Sequence, residues 1–368
     1  MLKRVYVDNF RCLVNFELKL GRVNLLLGSN GTGKTTVFEV LYRLQQFVAG
    51  NAKVLAVFPS VDLTRWRPTP TQRFELELQV GTASYEYALL IEHDDDRRKA
   101  KIKSETLTMD GKKLFHFQEG IAELYHDDFT PGPQYPFDWT QSGVAVLQPR
   151  PDNKKLTRFR QELQKIIIAG PHPMRMSSES RDEESVLSRN MENFASWFRF
   201  LSLEHQGATM AIIPELKKVI PGFSSFSVKE AGEAKVLKVL LEQPDGNGRP
   251  LIYDFSELSD GQRVLVVLYA LLFGLKDEGV SLFLDEPDNF LALREVQPWL
   301  TALTDSCGEG VEQTVLISHH PEIIDHLALS SGLWFYRDSN GPARVTDKPA
   351  AQVDGLKPSE TIARGWES

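Results

Sequence analysis

"GSNGTGKTT", Gly28 to Thr36, follows the apolar run VNLLL and precedes a stretch with helical apolar spacing. It fits G-x-x-x-x-G-K-[ST] in the strand-loop-helix setting that this pattern requires. Glycines let a loop turn its N–H groups inward around phosphate oxygens. Gly28, Gly31 and Gly33, with Ser29, Asn30 and Thr32 between them, therefore form a candidate phosphate cradle. The helix behind it adds the partial positive charge of its N-terminus. Lys34 is placed to reach the β- and γ-phosphates, the Thr35 hydroxyl suits a magnesium ion, and Thr36 closes the motif.

Working outward, residues 1–27 read as strands: LKRVYVDNF, a turn near Arg11 to Asn15, then FELKL and VNLLLG. A helix is expected from Lys34 to about Val48, with Phe38, Val40, Leu41, Leu44 and Phe47 on one face. Residues 73–110 alternate in runs separated by turn signals, the pattern of an antiparallel meander, and Asp110-Gly111 marks a hairpin turn before KKLFHF. Residues 127–153, rich in Pro and Asp, read as loop. From Asn153 to about Gly222 the spacing turns helical, in NKKLTRFRQELQKIIIAG and ENFASWFRFLSLEHQ, around a polar, mobile segment MRMSSESRDEES. Strands FSSFSVKE, KVLKVLLEQ and RPLIYDF, broken by a turn at Asp245 to Gly248, lead into a long apolar helix. Then come strand VSLFLDEP, a helix near Leu291 to Thr304, strand TVLISHH, a short helix and the hairpin WFYRDSNGPARV. Strands and helices alternate at both ends of the chain, which argues for an α/β sandwich. Its parts divide into a β-rich lobe over 1–150, a helical lobe over 151–222 and a third lobe over 223–368.

Composition narrows the class. The 368 residues are 42% hydrophobic and 25% charged, and a net charge of -8 gives no global basic footprint for nucleic acid. Cys12 and Cys307 stand far apart without metal-ligand spacing, so a reducing cytoplasm fits better than disulfides or zinc. MLKRVYVDNFRCL lacks the apolar core of a signal peptide, and no stretch reaches the ~18 apolar residues of a membrane span. A cytoplasmic protein with no membrane partner is expected.

Further strands end in reactive groups. In SLFLDEPD an apolar run meets Asp285 and Glu286 where open α/β sheets bind ligands, at the carboxyl end of a strand. Asp285 would complete a magnesium shell and Glu286 would polarise an attacking water as general base. In TVLISHHPE, His319 lies where an imidazole reaches a γ-phosphate or that water, or serves as a strand-end cap.

In chain order the phosphate loop, LSDGQ (Leu258 to Gln262), strand-DEP and strand-SHH resemble the motif series of ABC-type ATPases. Gly28 to Thr36 matches the Walker A loop. LSDGQ matches the signature LSGGQ with Asp260 replacing its first glycine, Asp285-Glu286-Pro287 the Walker B end, and Ser318-His319 the switch histidine. The resemblance implies an α/β P-loop NTPase of ABC-ATPase head type, with a β-meander lobe and a helical lobe, binding ATP and Mg2+. It also implies a head-to-tail homodimer with ATP at the interface, in which Ser259, Gly261 and Gln262 of one copy complete the ATP held by the other. A hydroxyl, bare N–H groups and a helix N-terminus suit that anion.

The start of the chain, with Asn9-Phe10-Arg11 between strands, is similar to the SMC/RecF group. Most of the chain, Ile166 to Met176 included, resembles short prokaryotic AAA-family ATPases related to overcoming-lysogenisation-defect proteins. The SMC/RecF group places an ATP-contacting arginine where Arg11 stands; a surface arginine is the alternative. Leu291-Ala292 departs from the Leu-Asp of transporters, so cross-dimer communication is expected to differ there. For the Q-loop, Gln148 at the end of VAVL is the candidate magnesium-shell glutamine. The length and acidic residues of a TOPRIM nuclease domain are not expected at the C-terminus, so nuclease chemistry would fall to a partner chain.

Local basic clusters are Arg97-Arg98-Lys99 with Lys101 and Lys103, beside Glu92 and Asp94 to Asp96, and Lys154, Lys155, Arg158 and Arg160 with Lys165. They offer phosphate contacts to DNA or are solvated faces. Pro133 to Trp139 reads as a packed loop or a partner surface. The expected function is a magnesium-dependent ATPase acting on DNA or controlling a partner effector, in phage defence or DNA repair. The alternative is a nucleotide-gated scaffold restraining a separate nuclease or toxin chain, with slow hydrolysis as a timer. A transporter ATPase fits poorly, because the helical lobe has no recognisable coupling glutamine.

Overall fold

The computed structural model describes residues 1–347 and 356–364, except Asn51, Asp95, Arg97, Asp245 and Asn247. Asp95 and Arg97 of the acidic-basic stretch, and Asp245 and Asn247 of the expected turn, thus lie outside the described residues. The chain begins β1 (Leu2–Asp8), β2 (Phe16–Lys19), β3 (Val23–Leu27), α1 (Lys34–Ala49) and α2 (Val54–Val57). It continues with β4 (Thr71–Val80), β5 (Ala83–His93), β6 (Ala100–Met109), β7 (Lys112–Gln118), β8 (Ile121–Tyr125), β9 (Pro131–Pro136), α3 (Gly143–Val146) and α4 (Lys154–Gln164). Next come β10 (Ile166–Ala169), β11 (Glu179–Ser180), α5 (Phe194–Glu204), α6 (Gln206–Val219), β12 (Phe223–Ala231), β13 (Ala234–Leu241) and β14 (Leu251–Asp254). The last part is α7 (Asp260–Gly274), β15 (Val280–Asp285), α8 (Leu293–Ser306), β16 (Val311–Ile317), α9 (Pro321–Ser331), β17 (Gly332–Tyr336), β18 (Arg344–Thr346) and α10 (Pro358–Ala363).

The meander, the phosphate-loop helix and the apolar helix fall where the periodicity put them. Residues 127–153 are not all loop, since they contain β9 and α3. β9 is an edge strand, the position in which Pro131, Pro133 and Pro136 are tolerated because no inner ladder bond is lost. IIIA is strand β10 rather than a continuation of α4, in line with its β-branched run. The polar segment Met174 to Ser185 contains β11, whose Glu179 and Ser180 pair with Val236 and Lys235 of β13.

Two compact units form. Among the described residues, the first comprises 1–166 and 332–347, and the second comprises 167–331 and 356–364. In the first, an antiparallel sheet runs β2-β1-β4-β5-β6-β7-β8-β9. Alternate residues such as Phe74, Leu76, Leu78 and Val80 are buried, as a sheet with one covered face requires. Separately, β3 pairs in parallel with β17, which carries β18 antiparallel. α1 is fixed to the end of α4 by Gln45, whose Nε2 donates to Leu163 O and Ile166 O at 2.6 Å each. One buried carboxylate bolts β6 to α3. Glu105 accepts from Tyr87 Oη at 2.8 Å, Ser142 Oγ at 2.5 Å and the Gly143 amide at 2.8 Å, and burial pushes its carboxyl up.

In the second unit β15 and β16 run parallel, with β10 beside β15. A second sheet orders β11-β13-β12, and β14 adds to β13. α7 is buried almost all round, from Arg263 through Leu272, as its continuous apolar sequence demands. Gly274 lets α6 and α5 approach, since an added Cβ there would sit 2.8 Å from Leu201 Cδ2.

Candidate nucleotide site

The phosphate loop belongs to the first unit. Gly28, Gly31 and Gly33 have φ of 133°, 81° and 106°, a region that L side chains rarely adopt. Gly28 is also sterically required, because a Cβ would lie 2.2 Å from Phe335 O of β17. The side chain of Lys34 is buried and curls back over the loop, Nζ donating to Gly28 O at 2.5 Å and Ser29 O at 3.0 Å. Thr32 Oγ1 donates to Ser29 O at 2.8 Å, closing the turn. Ser29, Asn30, Gly31 and Thr35 are exposed, and no side chain caps α1 at Gly33. The loop thus combines one ammonium, a helix N-terminus and left-handed glycines, which fits a polyphosphate.

Arg337, which carries no local motif, fastens this loop from the hairpin after β17. Its guanidinium donates to Gly31 O at 2.9 Å, Gly341 O at 2.8 Å and Asn340 O at 3.1 Å. A cleft of about 590 Å3 opens beside the loop, lined by Gly31, Thr36, Arg11, Arg65, Trp66 and Arg337 among others. The Trp66 side chain is about half exposed. Arg11 adopts φ 50° and pairs with buried Asp62 at 2.7 Å, which Arg43 also contacts at 2.5 Å. Arg11 therefore borders the phosphate loop while keeping a structural partner. Gln148 is exposed and borders a different cleft, with Tyr125, His126 and Tyr135.

The remaining site residues belong to the second unit, at the ends of β15 and β16 and the start of α7. Asp285 Oδ2 lies 3.8 Å from Arg189 Nη2. Glu286 adopts φ 48°, its amide donates to Ile317 O at 2.8 Å, and its Oε2 accepts from Asn289 Nδ2 at 2.6 Å. A non-glycine residue held in the left-handed region costs about 1–3 kcal/mol and marks a turn that its surroundings over-determine. His319 is exposed, whereas His320 is engaged, its Nδ1 accepting from the Glu322 amide at 3.2 Å. Of the adjacent histidines, the one matched by sequence is the one turned to solvent.

LSDGQ caps α7, which begins at Asp260. Ser259 Oγ accepts from the Gln262 amide at 3.3 Å, and Gln262 Oε1 accepts from the Ser259 amide at 3.1 Å, a reciprocal capping box. Gly261 is required by Phe290, whose carbonyl would be 2.9 Å from an added Cβ. Asp260, the departure from LSGGQ, is bonded to Arg263, and buried Arg263 donates to Pro173 O at 2.7 Å. The acid thus anchors the helix tip to the GPHP stretch and leaves Ser259 exposed.

For magnesium, exposed Thr35 in the first unit and Asp285 in the second offer hard oxygen donors. Among the described residues no group of three or more His, Cys, Asp or Glu could hold a metal alone.

The basic clusters are largely engaged. Lys101 and Lys103 pair with Glu92 at 2.9 and 3.2 Å, Lys155 Nζ donates to Asp127 O, and Arg160 donates to Leu147 O. Pro133 to Trp139 packs in part, Phe137 meeting Phe117 and Tyr135 edge-on, while Trp139 is about half exposed. Among the described residues no helix is long and apolar enough to cross a membrane, and Cys12 and Cys307 are both free.

Residues 1–227 match the family described as AAA ATPase domain. A curated relative, the OLD nuclease of Thermus scotoductus, is 49% identical over 41 residues, which span 11% of this chain and only 8% of that protein. Among solved structures, the SMC head domain from Thermotoga maritima aligns over 96% of this chain and 99% of its own, with TM-score 0.50 and 13% identity. An SmcHead bound to the C-winged helix domain of ScpA aligns over 94% and 97%, with TM-score 0.55 and 12% identity. The Smc head domain from Pyrococcus furiosus, bound to the C-terminal domain of ScpA, aligns over 100% and 98%, with TM-score 0.54 and 10% identity. At these identities the likeness is one of fold.

Proposed function

The chain belongs to the AAA ATPase domain family, and from that premise we propose that it is a magnesium-dependent ATPase whose copies associate head to tail around ATP. Its fold is that of the SMC-type P-loop ATPase heads. The observation that carries the proposal is the Lys34 ammonium held over left-handed glycines at an uncapped helix N-terminus. Lys34 and the loop amides bind the phosphates, and the nucleoside rests in the adjoining cleft against Trp66 with Arg11 and Arg65 at its rim. Assigning Asp285, Glu286 and His319 to the same nucleotide rests on the motif order in the sequence. Glu286 takes the proton of the attacking water, and His319, free to reach a ligand, donates to phosphate oxygen. Magnesium held by Thr35 and Asp285 would neutralise charge on the phosphates. Ser259 and Gly261 present a hydroxyl and a helix tip to the nucleotide of a second copy.

Such a closing dimer suits control of DNA or of a partner effector in phage defence or DNA repair, the settings that the resemblance of the motif series implies. The test is phosphate release by the purified chain with ATP and magnesium. Activity that Lys34→Ala abolishes supports the proposal, and absence of nucleotide binding to the wild type contradicts it.

A further inference from the structure

Asp288 follows Glu286 by two residues and is 6% exposed. It accepts a hydrogen bond from the Ser318 side chain, while Oδ1 has no partner among the described residues. Ser318 is fully buried, and its Oγ accepts from the His320 amide at 3.0 Å. His320 caps the start of α9 through Glu322, so its own place is fixed. A continuous chain therefore runs from Asp288 through Ser318 to both residues that flank His319.

The other side of Asp288 is equally constrained. Its carbonyl accepts from the Leu291 amide at 2.9 Å, and the neighbouring Glu286 amide is held by Ile317 O. The turn bearing the candidate base and the strand end bearing the candidate switch histidine therefore meet both through this backbone bond and at the Asp288 carboxylate. A serine or threonine could accept the Ser318 bond without burying an orphan carboxylate oxygen, which costs about 1–3 kcal/mol. Such a group in a folded protein calls for a role beyond filling space. Burial holds the Asp288 carboxyl above its ordinary range, opposed by the Ser318 bond and by a bond from its own backbone amide.

We propose that Asp288 is a positioning residue for ATP hydrolysis, which sets His319 against Glu286 by holding Ser318. This rests on the ATPase function proposed above. Phosphate release, nucleotide affinity and thermal midpoint are measured for wild type, Asp288→Ala, Asp288→Asn, Ser318→Ala and the Asp288→Ala/Ser318→Ala double variant. The expected result is a fall in kcat of about tenfold or more for Asp288→Ala and Ser318→Ala with KM within about threefold. Asp288→Asn, whose amide oxygen still accepts from Ser318, recovers most of the loss. The double variant is no worse than Ser318→Ala alone, because Ser318→Ala already lacks the bond that Asp288→Ala removes. Unchanged kcat in Asp288→Ala, no recovery in Asp288→Asn, or losses that add in the double variant overturn the proposal. Should Asp288→Ala fail to fold, Ser318→Ala carries the test, because it deletes only the hydroxyl. A wild type without turnover defeats the ATPase function itself, a result distinct from turnover that survives these substitutions.

Discussion

The Glu286 amide donates to the Ile317 carbonyl at 2.8 Å, so a backbone bond independent of the Glu286 side chain fastens the turn after β15 to the end of β16. The side chain of Glu286 can therefore be changed without releasing the turn. Glu286→Gln keeps the size of the group and its bond to Asn289 but cannot take a proton. Turnover is expected to fall by about 10²–10⁴-fold with ATP affinity retained. Single-turnover phosphate release and equilibrium ATP titration check both halves; unchanged turnover removes Glu286 from the role of base.

Trp66 offers an indole face in the cleft that Gly31 and Thr36 also line. Trp66→Ala is expected to weaken ATP binding by about 1–3 kcal/mol, the usual worth of a base stacked on an aromatic ring. Binding of inorganic tripolyphosphate, which has no base, should stay the same, and Trp66→Phe should retain most of the ATP affinity. Equal losses for ATP and tripolyphosphate would show that Trp66 acts on the loop rather than on a base.

Arg337 holds the phosphate loop from a position 306 residues away in the chain. Arg337→Ala frees the Gly31 carbonyl and should weaken ATP binding about fivefold, equivalent to about 1 kcal/mol of lost preorganisation. Calorimetric titration of ATP and tripolyphosphate measures this. Here the two ligands should lose affinity equally, the opposite of the Trp66 pattern.

Glu105 gives a pH dependence of stability. Burial raises its carboxyl in the folded state, so between its ordinary and raised values the native chain binds more protons than the unfolded one. Stability from this group is fully present below the ordinary carboxylate range and declines as pH rises through the raised value. Glu105→Gln removes that slope; the slope from Asp288, raised by burial too, has the same sign and remains. Chemical denaturation across a pH series should therefore show a flatter profile for the variant. An identical profile would mean that Glu105 titrates as in the unfolded chain.

Local sequence carried most of these elements because their causes are local. The period-2 runs of 73–110 bury one face, and the glycines of 28–33 admit the positive φ that other residues resist. What was illegible depends on distant neighbours. Pro131 to Pro136 looks like loop until an edge position makes its missing amides harmless. Arg337 and Trp66 carry no signature, and their place beside the phosphate loop comes from tertiary packing. Asp288 was in plain view in DEPD, but its burial and its bond to Ser318 follow from the pairing of β15 with β16. The acid in LSDGQ, a departure by sequence, is explained by Arg263, only three residues on.

Closure of two copies on ATP is the central claim, and light scattering of Glu286→Gln tests it most directly. With ATP and magnesium the mass should double from 41.6 kDa, and added Ser259→Arg should return it to the single-chain value. A mass that ignores nucleotide, or a doubled mass that survives Ser259→Arg, would contradict the account.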